Sequence, residues 1–442
     1  MWSNKRGVVI GIYVLTSIPI LAVAGFGYWL YTDLYQTSAQ FESKIEQGQG
    51  IDIPVTPSDF ARFVELKKSD NATVPFLAVA KDWEALPEPD RNLIVAQVRL
   101  FATSVEGNDP KQAQAFVKAQ PFLAKLRNVA ACKDSHFERD WTGNTELIEP
   151  HYHTTIQFGR LLCAAALAEA RINNIDNAFQ HLETLRKLAA HISRDAGLDG
   201  TVTHVNLETQ ALTAAQEILY RFGRRSNAYP KYESFIANRK TQPNIIRNLE
   251  GEAMRTTYVL SQANSFKDRM FSGTKLSIKN ETFQRAATIR MSEFWTNTLA
   301  EAEASYPDTI AIRDAYVETL SSFSSQRSPS RVIPSAIAEW NVDRINIAAA
   351  LEVRYALAKP VGEVIAHFHL TGNFPKSLSE INFQDSDPYT RDVFTYLRTE
   401  KGFRIYSTGA DRIDDGGDFA DQNQVTDIVT TFDGELFKIE GV

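Results

Sequence analysis

The sequence predicts a mainly α-helical protein with a transmembrane helix at its N-terminus, an irregular helical ectodomain and a small antiparallel β subdomain at its C-terminus. Three observations predict this. Residues 7–32 carry no charge. Between residues 58 and 375 the apolar residues recur at the three-and-four spacing of helix faces. After Pro375 the pattern turns to short aromatic and β-branched runs divided by polar turns. A hydrophobic content of 43% in 442 residues excludes a disordered chain, and a net charge of −7 disfavours a nucleic-acid partner.

The charge-free run follows Lys5 and Arg6. It exceeds the roughly 20 apolar residues that span a bilayer core. Tyr28, Trp29 and Tyr31 stand at its far end, where an aromatic belt belongs, and the preceding bases predict a cytoplasmic N-terminus. Residues 1–6 are thus expected as a cytoplasmic tail, 7–32 as the anchor, 33–56 as a polar linker, 57–330 as the helical ectodomain and 331–442 as a helix followed by the β subdomain. A cleaved signal peptide is the alternative, with Ala22-Val23-Ala24 as a small-residue cleavage site. The apolar run continues past it to Leu30, which favours a retained anchor. Outside the cytoplasm, Cys132 and Cys163 are free to pair; two unpaired thiols packed as small apolar groups are the equal alternative.

In the body, Leu161, Ala165, Ala168 and Ile172 share one helix face. Asn173, Asn174 and Asp176 supply turn chemistry, and Asp176 suits the cap of the next helix. Ala178, Leu182, Leu185, Ala189 and Ile192 form the second stripe, which Gly197 and Gly200 end; Leu207, Ala211, Ala214 and Ile218 form the third. Helices joined by such short loops pack as antiparallel neighbours. The pair over 161–192 resembles a tetratricopeptide-like hairpin, but no unit recurs at a fixed period. Further helices are expected over 244–269 and 282–304. The serine-rich run 321–330 reads as a loop. Another helix follows Pro334, with Trp340, Ile347, Leu351 and Ala358 near one face. Pro360 should end or kink it, and 361–370 should form a further short helix. Gly372 and Pro375 stop helical structure.

Strands are expected at 393–397, 403–406, 428–432 and 436–439, with a hairpin turn over 398–402. From Asp385 to Val442 there are thirteen acids and six bases, which accounts for the whole net charge. The densest cluster lies between the second and third strand candidates: Asp411, Asp414, Asp415 and Asp418, then Asp421 and Asp427. Carboxylates so crowded repel one another, and a hard cation offsets that repulsion. The spacing is not that of an EF-hand. A solvated acidic loop is the alternative.

Gly372-Asn373-Phe374-Pro375 leads to Asp387-Pro388-Tyr389, then Phe394-Thr395-Tyr396, Gly402-Phe403-Arg404-Ile405-Tyr406-Ser407, Gly409-Ala410-Asp411, Asp414-Asp415-Gly416-Gly417 and Asp427-Ile428. This order resembles the C-terminal part of the major pseudopilin of type II secretion systems, and the tail is also similar to that of uncharacterised membrane-anchored bacterial envelope proteins. The resemblance implies a bound Ca2+. Its ligands would be the side chains of Asp411, Asp414 or Asp415, and Asp427, with Ser407 offering its backbone carbonyl. It also implies a bacterial inner membrane, with most of the chain periplasmic. The N-terminus departs from a pseudopilin: Gly7 is followed by Val8, Val9, Ile10, Gly11 and Ile12, and no Glu occurs before Glu42.

Signals for catalysis are sparse. His151 with His153 and His367 with His369 are spaced for one face of a strand, yet both pairs fall in or beside helical patterns, where they diverge. Cys132 and His136 are four apart, with no third group to orient them. No phosphate-binding loop, dinucleotide fingerprint, nucleophile elbow or zinc-protease motif is present. The expectation is a non-enzymatic single-pass envelope protein that binds other envelope proteins through its helices. The alternatives are a metal-dependent hydrolase using the acidic loop and a divergent component of a type II secretion or pilus-like machine.

Overall fold

The structure, a computed structural model, describes residues 22–41, 43, 70–103, 109–137, 150–195, 197–224, 227–239, 244–261, 281–417, 427–434 and 437–440. Among the described residues, eleven helices α1–α11 carry the body: Thr73–Glu84, Glu88–Thr103, Pro110–Ala130, Pro150–Arg171, Ile175–Ile192, Leu198–Phe222, Ala228–Ala237, Ile245–Ser261, Glu281–Ser305, Thr309–Ser325 and Val332–Thr371. Four strands follow: β1 Thr395–Arg398, β2 Phe403–Ser407, β3 Ile428–Phe432 and β4 Phe437–Glu440. The mainly helical fold with a small antiparallel sheet agrees with the sequence reading.

Local chemistry sets several helix ends. Asp308 caps α10 by accepting from the amides of Ile310 and Ala311, both at 3.0 Å. Asp109 caps α3 in the same way, with Pro110 at the first helical position. At the α4–α5 turn the cap is Asn174, whose side chain accepts from the Asn177 amide. Asp176, the expected cap, instead lies in the first turn and pairs with Lys231 at 2.7 Å. α4, α5 and α6 pack on one another as expected. The alanines of α4 at 164–166 and 168 are buried there and allow close helix approach.

The body has two apolar cores. One gathers α1–α7, the second half of α11 and the sheet; the other gathers α8–α10, Leu198 and the first half of α11. Residues up to Ala348 belong to the second core and residues from Ala349 to the first. α11 runs unbroken for 40 residues, about 60 Å at 1.5 Å per residue. The expected break at Pro360 is therefore corrected. Pro360 is buried, α11 packs on α7, and the Tyr232 hydroxyl donates to the Ala358 carbonyl at 2.6 Å. Tertiary packing around the buried proline outweighs one missing backbone bond. Trp340, expected on the packed face, is 44% exposed. The first half of the serine run is the end of α10, and Ser330 belongs to a short 3-10 turn.

The sheet is an antiparallel meander in the order β1-β2-β3-β4. Phe403 and Phe432 pack with Phe374 and Tyr220 against the ends of α6 and α11. Gly372, at φ +77°, ends α11 by donating to the Phe368 carbonyl.

Among the described residues, no helix is long and apolar enough to cross a membrane; residues 7–21 of the expected anchor lie outside them, as do 42 and 44–56 of the expected linker. The start of that linker is not extended. Residues 22–38 are helical, with a π-helical stretch at Tyr31–Gln36, and Asp33 is buried against the turn at Pro329–Arg331. A carboxylate that satisfies a backbone amide and a hydroxyl there holds the segment on the body.

Candidate metal centre

β2 ends on Ser407 and β3 starts on Ile428, and these two residues are paired in the sheet. The acidic segment is the connection between them, so the pairing brings Ser407 and Asp427 together at its base. Both are buried, Asp427 at 0% exposure. One Asp427 oxygen, Oδ2, accepts from the Gly417 amide at 2.7 Å. Among the described residues the other, Oδ1, is buried without a hydrogen-bond partner. Burial pushes the Asp427 carboxyl up to about 6, and the charges of Asp414 and Asp415 act in the same direction. The backbone amide of Gly417 opposes the shift.

Gly416 and Gly417 have φ of +76° and +71°. A Cβ on Gly417 would sit 2.8 Å from Arg404 Cδ and 2.9 Å from Tyr406 Cδ1. Only glycine lets the backbone turn back over β2 here and deliver its amide to Asp427. Asp414 Oδ1 accepts from the Tyr406 hydroxyl at 3.1 Å and from the Gly416 amide at 2.9 Å. The Tyr406 hydroxyl is pushed up, first by burial and then by Asp414. Asp411 Oδ1 accepts from the Ile413 amide at 3.0 Å. Asp411, Asp414 and Asp415 are exposed.

The fold therefore gathers Ser407, Asp414 and Asp427 around the Gly416-Gly417 turn. Asp411 lies with Ala410 and Arg412 along a cleft of about 680 Å³ against α10, and Arg412 reaches Asp314 of α10 at 3.8 Å. Among the described residues no three His, Cys, Asp or Glu side chains form a group that would hold a metal ion. Asp418 and Asp421 lie outside those residues. A hard cation needs six to eight oxygens. The unpartnered Asp427 oxygen, the neighbouring acids and the carbonyls of a glycine turn are the right donor chemistry for one. Gly417 as the amide donor and Tyr406 as the hydroxyl donor to Asp414 were not singled out in the sequence. The adjacent glycines were the available signal.

The other candidates take structural positions. His151 and His153 are on α4, and His367 and His369 are on α11. His151 Nε2 meets Asp195 at 2.9 Å, where the Tyr152 hydroxyl also donates at 2.6 Å. His153 meets Gln157, and His369 Nε2 donates to the Tyr220 carbonyl. Cys132 and Cys163 are free thiols, contacting the carbonyls of Asn128 and Gln210. Burial pushes Cys163 up to about 12, which suppresses thiolate chemistry. Cys132 is also raised by burial and by Asp70. No protein-family model, curated protein or solved structure matches this chain, so its functional reading rests on its own residues and geometry.

Proposed function

We propose that the chain is a non-enzymatic, single-pass protein of a bacterial inner membrane. Its helical body stands on the periplasmic side and binds other envelope proteins, and a Ca2+ ion steadies its C-terminal subdomain. The observation that carries the ion is Asp427: a carboxylate at 0% exposure, with one oxygen satisfied by Gly417 and the other without a partner among the described residues. A buried charge without a counter-charge is costly. A divalent cation bound by Asp427, Asp414 or Asp415, Asp411 and the Ser407 carbonyl removes that cost. All these groups come from one strand connection, which suits a stabilising ion better than a catalytic one, whose ligands usually converge from separate segments. The membrane reading is supported by the charge-free run 7–32 and by the exposed Phe26, Tyr28, Trp29 and Tyr31 on the helix that continues it.

Thermal melting in Ca2+ and in chelator tests the ion. At 100 times its dissociation constant a ligand adds about 2.7 kcal/mol, so chelator should lower the melting temperature of the tail by several degrees. The Asp411→Ala/Asp427→Ala double variant should melt like the chelated protein in both conditions. Identical wild-type curves with and without chelator would reject the ion. Ca2+ binding that survives in the double variant would reject the ligand set.

A further inference from the structure

We propose that the groove between α7 and α11 binds a small organic cation, a primary ammonium carried on an apolar body. The groove is separate from the acidic strand connection, and this proposal requires neither the ion nor the anchor.

Three pairings set the register of the two helices. The Tyr229 hydroxyl donates to Glu363. The Tyr232 hydroxyl donates to the Ala358 carbonyl at 2.6 Å. Arg239, just past α7, donates to Glu352 through two bonds of 2.7 and 2.9 Å. Numbers rise on one element as they fall on the other, so the helices run antiparallel. The groove between them has a volume of about 330 Å³, at the small end of the range for ligand pockets.

Its two ends differ in chemistry. At the Tyr229 end stand Glu363 of α11 and Glu233 of α7, one turn along from Tyr229. Burial pushes the Tyr229 hydroxyl up, and the charges of Glu363 and then Glu233 push it the same way, so both carboxylates lie close to that hydroxyl. At the other end are Ile236, Ala237, Tyr355 and Ala356. Tyr355 and Glu363 are eight residues apart on α11, about 12 Å. Lys359 and Asp385 also line the groove, but they pair with each other at 2.5 Å. Two carboxylates are therefore in excess, both at one end. At the apolar end the Tyr355 ring is already met by two guanidiniums, Arg239 at 4.5 Å and Arg186 at 5.2 Å from its centroid. These cations send a ligand's positive charge toward Glu233 and Glu363. They also take the ring that a cage for a quaternary amine would need.

Depth selects the kind of amine. Tyr232, Tyr355 and Gly362 are buried and form the floor, whereas Glu233 is exposed and Glu363 half-buried. A ligand that fits lays its apolar body on the floor and keeps its ammonium at the rim, where it donates to both carboxylates. A lysine side chain of a partner protein has the opposite order, because its ammonium would reach the floor first. A trimethylated amine has no N–H to donate and loses bonds worth about tenfold each in affinity.

The purified full chain, in excess Ca2+, is titrated by calorimetry with hexylammonium, hexyltrimethylammonium, hexanoate and Nα-acetyl-lysine amide. Hexylammonium should bind saturably at one site, about tenfold or more tighter than hexyltrimethylammonium. Hexanoate and the lysine amide should give no saturable heat. Glu233→Gln/Glu363→Gln should weaken hexylammonium to the level of the trimethylated probe. Glu233→Gln alone, at an exposed position, should weaken it several-fold and serves if the double variant melts early. Ala356→Phe, which fills the floor and leaves both acids in place, should abolish binding; Ala356→Leu is the smaller plug if the first does not fold. Absence of saturable hexylammonium binding overturns the proposal. So does binding that survives a folded plug variant, which would make the acids mere surface charges. Equal affinity for the trimethylated probe, or tighter binding of the lysine amide, overturns it as well, in favour of a ring cage or a partner's lysine.

Discussion

His181, His191 and His204 sit in α5 and α6 with at most 4% exposure. Burial pushes His181 down to about 3, and the Arg127 guanidinium 3.3 Å away adds to the shift. Burial and Arg194 lower His191 to about 4, and burial lowers His204. Each folded-state value lies below the ordinary 6.5, so the native chain resists taking up these protons. Their neutral forms cost the fold nothing above pH 6.5; stability is lost as pH falls from 6.5 toward 4. For His191 alone the loss is about 3 kcal/mol at pH 4, at 1.36 kcal/mol per unit. Urea midpoints should therefore fall steeply between pH 6.5 and 4, and His191→Gln should flatten that slope. A flat midpoint over this interval would contradict the buried, neutral assignment. None of this was legible in the sequence, because the groups that enclose a polar residue lie far away along the chain. Arg186, for example, donates to the Tyr355 hydroxyl at 2.7 Å across 169 positions. The acidic loop was legible because its residues are local, and it was Ser407–Ile428 pairing that brought Asp427 to its base.

Elements divide the same way. The four strands and the α4–α5–α6 stripes were readable, since alternation and helical period are written within each segment. α1, α2, α3, α7 and α10 were not individually assigned, and α11 was cut in two at Pro360, because propensity penalises a proline that only tertiary packing explains. α7 shows how closely that packing is set. A Cβ on Gly362 of α11 would fall 2.7 Å from Cε1 of the buried Tyr232. Gly362→Ala gains up to about 1 kcal/mol of helix propensity, but displacing that ring and its bond to Ala358 should cost about 1–3 kcal/mol. A net loss in stability is expected by denaturant unfolding. In the Tyr232→Phe background the ring is no longer tied by its hydroxyl, and the alanine should cost less. An equal or larger stabilising effect in the wild type would contradict the contact.

At the scale of the molecule, the two cores share one helix, and neither can keep its face of α11 if the other loses it. Trp83 is buried in the first core and Trp295 in the second, which gives each its own reporter. The chain has six tryptophans; fluorescence melts of two variants that keep only Trp83 or only Trp295, the other five replaced by Phe, should therefore coincide after each is corrected for its change in stability. Two separated transitions in the wild-type protein would show that the cores are independent.

The order of synthesis gives α11 a further meaning. α4, α5 and α6 are complete once Phe222 has been made, yet the residues that close their core, Ala349 to Ile365, come much later, and Phe403, Ile405 and Phe432 later still. Chains elongate at about 5–20 residues per second. The apolar surface that those residues will cover therefore waits uncovered for several seconds or more during every round of translation. Sequence changes that slow completion of the C-terminal third would lengthen that wait without altering the finished protein, and their effect would be seen as lower soluble yield at unchanged stability.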